Sequence, residues 1–345
     1  MPLVSAPRAR STHCRKETRL FSLNPTSSWE IVYSVSVRSV AILFLRAIRK
    51  ILRVGLSAAN SGIRSLSVNR GNLSEPLDDA KLKQVRQFLF SLDQPNAQAR
   101  DYIHVHADRL AATVAFAPPA RTSRRCLELG SYMHIAPALK EFSGYDQVCV
   151  ASLGPAGTTV TKVASCQGRE ILRCNLDLFD VEQDAFPYPN EHFELVLACE
   201  LLEHLRTDPM HMLFEIYRVL QHEGRILLST PNCASISSLE QCLWGSANPY
   251  TYSLYPNPQR PDRDDAASHI REYTPDEVGR LLEAAGFCVD VLITRPGRVV
   301  ESKGLIEDLL LAYGFPTDLR GEQIYSVARK IPNADRVRFP GFLYS

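Results

Sequence analysis

The run FELVLACELLEHL, Phe193 to Leu205, joins an apolar segment to a polar turn. Its first seven positions carry a single polar residue, Glu194, and lack the strict alternation of a half-exposed strand. That pattern predicts a strand covered on both faces, as in a parallel sheet between helices. Working outward, short apolar runs of the same kind lie at 126–129, 147–151, 170–174 and 225–230, separated by helical patterns or loops. Two amphipathic helices are predicted at 77–92 and 98–116, ahead of Pro118 and Pro119. Asp208-Pro209 opens a helix with a cap followed by proline, and Gly224 follows shortly after its end. Thr274-Pro275-Asp276-Glu277 opens another, with Thr as cap and Glu at the third helical position. That helix leads to a strand through Ile293, then a helix at 305–313 and a last strand at 324–328. The alternation predicts an α/β fold, a doubly wound parallel sheet with ligands at the carboxyl ends of its strands.

Composition agrees with a cored globular chain. Of 345 residues 45% are hydrophobic, which excludes disordered and collagen-like classes. The formal net charge of +1 conceals two unlike parts. Residues 1–70 hold twelve Lys and Arg against Glu17 and Glu30, a net of +10, and the remaining 275 residues carry −9. An acidic body repels a polyanion, so nucleic acid is not expected as a partner. Within the extension, residues 31–56 are apolar, but Arg38, Arg46, Arg49, Lys50 and Arg53 interrupt them. The segment makes a poor membrane span. Two readings stay open: a helix lying on a membrane surface, or a partly disordered leader outside the working domain. Nine cysteines are scattered with no CxxC pair, which fits reduced thiols and a cytoplasmic protein.

Chemistry is expected at the strand ends. Leu127-Glu128-Leu129-Gly130-Ser131-Tyr132 places an acid and then a glycine at the end of the first strand, suited to a cationic or hydroxyl-rich ligand. No GxGxxG follows a strand, which argues against a dinucleotide cofactor. Glu200, Glu203 and His204, at i, i+3 and i+4, would face one way on a helical turn and could hold a hard divalent ion. His204 is the candidate general base, with Glu203 beside it, because imidazole accepts a proton near neutral pH.

Several motifs occur together: Phe186-Pro187-Tyr188-Pro189, the run from Phe193, Arg218-Val219-Leu220, Gly224 through Asn232, and His269 to Tyr273 running into Ala284-Ala285-Gly286-Phe287. In this order and spacing they resemble class I S-adenosylmethionine (SAM) dependent methyltransferases of the type 11 kind, over about 124–330. The resemblance implies a Rossmann-like, doubly wound, mostly parallel sheet with N-terminal helices. It divides the chain into the extension 1–70, a helical lead-in 71–118, a methyltransferase domain 119–331 and a tail 332–345. It implies SAM as cofactor and a small-molecule, lipid or glycan acceptor, with oxygen the expected atom. Carried over by position, Glu128, Gly130 and Ser131 would line the amino acid end of SAM, with Tyr132 packing on the cofactor. Asn175, Leu176 and Asp177, after the third predicted strand, would contact the adenine. Cys199 and Glu200 would face the cofactor's middle. The Glu200 to His204 spacing is also similar to the metal site of ubiquinone-pathway O-methyltransferases and small-RNA 2′-O-methyltransferases. The same Glu-His-Leu run is widespread in metal-free members, and no resident metal is expected.

Two departures stand out. The glycines usual after the first strand are replaced by Ser131-Tyr132-Met133-His134-Ile135, and the second strand ends in Ala151-Ser152-Leu153 without the usual ribose-binding acid. They favour a competing reading, a non-catalytic SAM-fold binding module. The retained acids favour the enzyme.

Overall fold

A computed structural model describes residues 78–245, 269–297 and 303–344. All of them belong to one of the chain's two units, Gly62–Ser345. The basic extension 1–70 lies outside the described residues.

Two helices lead in, α1 (Asp79–Ser91) and α2 (Ala97–Phe116), capped by Asp78 and Asn96 through side-chain acceptors. Then come β1 (Arg125–Leu129), α3 (Ile135–Ser143), β2 (Gln147–Ser152), β3 (Thr158–Cys166), β4 (Arg169–Leu178) and β5 (Phe193–Cys199). The second half holds α4 (Pro209–Val219), β6 (Leu220–Pro231), α5 (Ile236–Trp244), α6 (Pro275–Ala284), β7 (Phe287–Arg295), α7 (Lys303–Ala312) and β8 (Gln323–Lys330). The strands form one eight-stranded sheet in the order β3-β4-β2-β1-β5-β6-β8-β7. β1, β2, β4, β5 and β6 pair in parallel, while β3 and β8 run antiparallel to their neighbours.

β5 is central because its side chains are buried on both faces. Val196 and Ala198 join the cluster packed with α4 and α6, whereas Leu195 and Leu197 join the cluster under α1, α2 and α3. Each such Leu or Val contributes about 1.5–3 kcal/mol by leaving water. Glu194, also buried, accepts from the backbone N–H groups of Arg121, Thr122 and Arg124, which satisfies its carboxylate where the chain enters β1. Both expected helix starts form. Asp208 caps α4 ahead of Pro209, and Thr274 with Glu277 makes a reciprocal capping box on α6.

Two expectations change. β3 was not foreseen: a helix or loop was expected between β2 and β4, and instead Thr158–Cys166 forms a hairpin with β4. Its β-branched Thr and Val residues suit an edge strand better than a helix. β4 consequently runs to Leu178, so Asn175, Leu176 and Asp177 lie within the strand rather than after it.

Candidate functional site

The carboxyl ends of β1, β2, β4, β5 and β6 converge at one edge of the sheet. At the end of β1, alternation turns Glu128 away from Leu127 and Leu129 and toward the side of α2 and α3. It is buried, takes hydrogen bonds from the Ser131 side chain and the Ala136 backbone, and its Oε2 has no hydrogen-bond partner. Burial raises its carboxyl to about 7 despite those bonds. Gly130 turns the chain at φ +68°, and Met133 adopts φ 64°, so the loop that replaces the usual glycines makes its turn with one non-glycine residue in the left-handed region. The Ser131 amide bonds to Ala151 O at 3.0 Å and its hydroxyl accepts from Met133 N at 3.1 Å.

His134, at the start of α3, meets Gln94 Oε1 through Nε2 at 3.3 Å, and burial lowers its imidazole to about 4. Tyr102 of α2 stacks on that ring at 5.4 Å. Tyr132 is 76% exposed, with its ring 5.8 Å from Tyr102.

On the same side, Arg109 of α2 donates to the Tyr102 hydroxyl at 2.9 Å and pairs with Glu200 Oε2 at 3.1 Å. Glu200 follows β5 at φ 52°, and its Oε1 accepts from Ser229 Oγ and Gln323 Nε2. Cys199 ends β5, and burial raises its thiol. Asp177 accepts from Thr159 Oγ1 at 2.8 Å and from the Tyr188 hydroxyl at 2.8 Å. Asn175 is exposed in the hairpin, while Leu176 is buried in the core.

The expectation of one helical turn carrying Glu200, Glu203 and His204 is corrected. Leu202–His204 is a short 3-10 turn, and Glu200 stands outside it with positive φ. Glu203 lies on the opposite face from Glu200, 1% exposed, with Oε2 accepting from Thr230 Oγ1 at 2.8 Å. Burial, and then the charge of Glu200, push its carboxyl well above the usual range. His204, with a side chain 25% exposed, places Nε2 3.9 Å from Glu203 Oε1, and its ring meets His269 edge-on at 5.0 Å.

Residues 100–291 match the family described as methyltransferase domain, more than half of the chain. The chain belongs to that methyltransferase family. Membership of that family supports SAM as the cofactor. Three solved structures overlap the chain more loosely. A Haloferax volcanii methyltransferase in complex with the Trm112 activator is 12% identical, spans 71% of this chain and 97% of its own, and has a TM-score of 0.44. An Archaeoglobus fulgidus SAM-dependent methyltransferase is 15% identical over 67% and 94%, with a TM-score of 0.40. Human N-acetylserotonin methyltransferase, solved with SAM, is 15% identical over 73% and 57%, with a TM-score of 0.39. No curated protein matches the chain.

The residues present fit the methionine end of SAM. Glu128 offers a buried carboxylate oxygen with no donor, beside the left-handed turn at Gly130. The ribose end has no free acid on β2, and the neighbouring Asp177 is already engaged by Thr159 and Tyr188. Tyr102, Arg109, Ser229, Thr230, His269 and Gln323 were not singled out by sequence as site residues. Three of them lay in quoted segments, Ser229 and Thr230 in the run from Gly224 through Asn232 and His269 at i, i+3 spacing to Glu272. A surface cleft of about 380 Å³ lined by Phe214, Tyr217, Arg218, Lys330 and Arg336 lies at the other end of the sheet and includes none of these residues. Among the described residues no helix is long and apolar enough to cross a membrane.

Proposed function

We propose that the enzyme transfers the methyl group of SAM to an oxygen of a small-molecule, lipid or glycan acceptor. The observation that carries this reading is the bare, buried Oε2 of Glu128 at the end of β1, which a cationic ligand group would satisfy. Glu128, Gly130 and Ser131 hold the amino acid end of the cofactor, with Tyr132 packing on it. Asp177 lies toward the adenine; Asn175 and Leu176, one exposed and one in the core, support that contact less. Cys199 and Glu200 border the cofactor's middle, and Glu203 with His204 is the catalytic pair at the acceptor's end.

Bound SAM supplies an electrophilic methyl group on a sulfonium. The chain supplies alignment: the acceptor oxygen must stand about 3 Å from the methyl carbon, opposite the sulfur, in a site with little water. The oxygen's lone pair forms the new bond as the carbon–sulfur pair returns to sulfur, and the hydroxyl proton passes to the His204 imidazole. The acidic balance of 71–345 disfavours a polyanionic acceptor.

The test is incubation of the full chain with methyl-labelled SAM and fractionated cell extract. Label in a small-molecule, lipid or glycan fraction as an alkali-stable methyl ether, or as a methyl ester, supports the reading. Label confined to RNA or to protein overturns the acceptor class. No label, together with no binding heat from SAM or S-adenosylhomocysteine, returns the chain to the non-catalytic reading.

A further inference from the structure

Glu203 is almost completely buried, yet only one of its carboxylate oxygens is satisfied. Thr230 donates to Oε2 at 2.8 Å, and the buried Oε1 has no hydrogen-bond partner. A carboxylate oxygen removed from water without a donor calls for a cation or a proton. The groups beside it are metal-ligating in type. His204 Nε2 lies 3.9 Å from Oε1, and ligand atoms of Glu203, His204 and His269 all fall within 4.8 Å of one another.

The segment that brings in His269 is held in place by the backbone. The N–H groups of Ile270 and Arg271 both donate to the carbonyl of Glu203, at 2.7 and 3.3 Å. His269 Nδ1 lies 3.0 Å from Glu272 Oε1. A carboxylate acceptor at Nδ1 keeps the proton there and leaves the Nε2 lone pair for another ligand, the arrangement that commonly stands behind a metal-bound histidine. Glu200, the residue that sequence spacing would have added, is engaged by Arg109, Ser229 and Gln323 on the other face of the sheet.

We propose that Glu203, His204 and His269 bind one divalent transition-metal ion, with Glu272 orienting His269 and an open coordination position facing the acceptor. Two imidazoles and one carboxylate suit zinc, and manganese next, better than magnesium or calcium, which favour all-oxygen sets. Bonds of about 2.1 Å place tetrahedral neighbours about 3.4 Å apart, so a small rotation of the His204 ring closes the 3.9 Å gap. The proposal rests on the methyl-transfer reading and deepens it. With the ion bound, His204 would serve as a ligand in place of the base, and the ion would lower the pKa of an acceptor hydroxyl so that its proton would pass to solvent water.

Purified full-length protein carrying no affinity tag, stripped with chelator and dialysed, is titrated with zinc chloride in a calorimeter, and cobalt is added in parallel to read its visible absorption. The expected result is one zinc per chain at micromolar affinity or tighter. Affinity falls at least tenfold in His269→Ala and in Glu203→Gln, and about tenfold in Glu272→Gln. His222→Ala serves as the unaffected control, and circular dichroism checks that each variant is folded. The cobalt spectrum of the wild type is altered in His269→Ala. No zinc heat, or zinc binding indifferent to His269→Ala, overturns the site. SAM binding is measured on the same stripped protein. Retained SAM binding without zinc binding rejects the metal and leaves the methyl-transfer reading standing, whereas loss of both rejects the reading itself.

Discussion

Ser229 and Thr230, neighbours in β6, each donate a 2.8 Å hydrogen bond to a carboxylate, Ser229 to Glu200 and Thr230 to Glu203. Successive strand residues point to opposite faces, so these two hydroxyls hold two acids three residues apart on opposite sides of the sheet. Glu200 stays on the α2 side with Arg109, and Glu203 stays on the α6 side with His204 and His269.

The two hydroxyls should differ in worth. Thr230→Val preserves shape but removes the side-chain donor to the buried Glu203 carboxylate, and should destabilise by about 1–3 kcal/mol. Ser229→Ala leaves Glu200 with Arg109 and Gln323, and should cost no more than about 1 kcal/mol. Urea denaturation of both variants measures the difference, and equal midpoints would falsify the assignment of Glu203 as the more dependent acid.

Cofactor affinity should rise with pH through neutrality. Burial raises Glu128 from 4.5 to about 7, so in the free protein it keeps its proton to a higher pH than in the unfolded chain, and ionising it costs folding stability as pH rises across that window. The cationic end of SAM pairs with the ionised form. Binding at about pH 8 should therefore exceed that at about pH 6 by several-fold, approaching tenfold per unit below 7. Glu128→Gln should bind more weakly and flatten the profile. Calorimetry at the two pH values is the check; a profile that stays steep in the variant assigns the dependence to another group.

The tail should act as an acid-sensitive clamp. Burial raises the Asp208 carboxyl, but hydrogen bonds from Arg338 and Tyr344 outweigh it and hold it at about 2, below the usual 3.8. The folded value is depressed, so the contribution is present above about 4 and lost as pH falls toward 2. After allowance for solvent screening it amounts to about 1 kcal/mol. Arg338→Met should lower the thermal midpoint at pH 7 by a few degrees and narrow its gap to wild type near pH 2.5, read by differential scanning calorimetry.

Gly286 should tolerate a methyl group less well than Gly130. Both have positive φ, +96° and +68°, but a Cβ on Gly130 meets only Leu201 at 3.7 Å, whereas one on Gly286 meets Arg336 at 2.8 Å and Tyr217 at 3.0 Å. Gly130→Ala should cost about 1 kcal/mol from backbone strain alone. Gly286→Ala adds displacement of the tail from α4 and should exceed it. Paired urea melts decide the order.

Much of the scaffold was legible because its signals are local. The apolar run of β5, the cap at Asp208 and the capping box at Thr274 each act within a few residues, and each forms as read. The β3 hairpin was not legible, since an edge strand in place of a helix depends on what β4 offers as a partner. Of the site, the acid and glycine at the end of β1 could be seen in sequence, as could the Glu203–His204 turn.

Sequence by itself determined an alternating α/β chain with acids at its strand ends, because strand periodicity and helix caps are properties of short segments. Only tertiary structure decided which acids share a face. Spacing at 200, 203 and 204 implied one cluster, but the left-handed backbone at Glu200 and the 3-10 turn after it broke the helical period. The partners that then completed each half, Arg109 and Gln323 on one side and Thr230 and His269 on the other, come from distant parts of the chain. Such pairings follow from how the layers pack, and no local pattern encodes them.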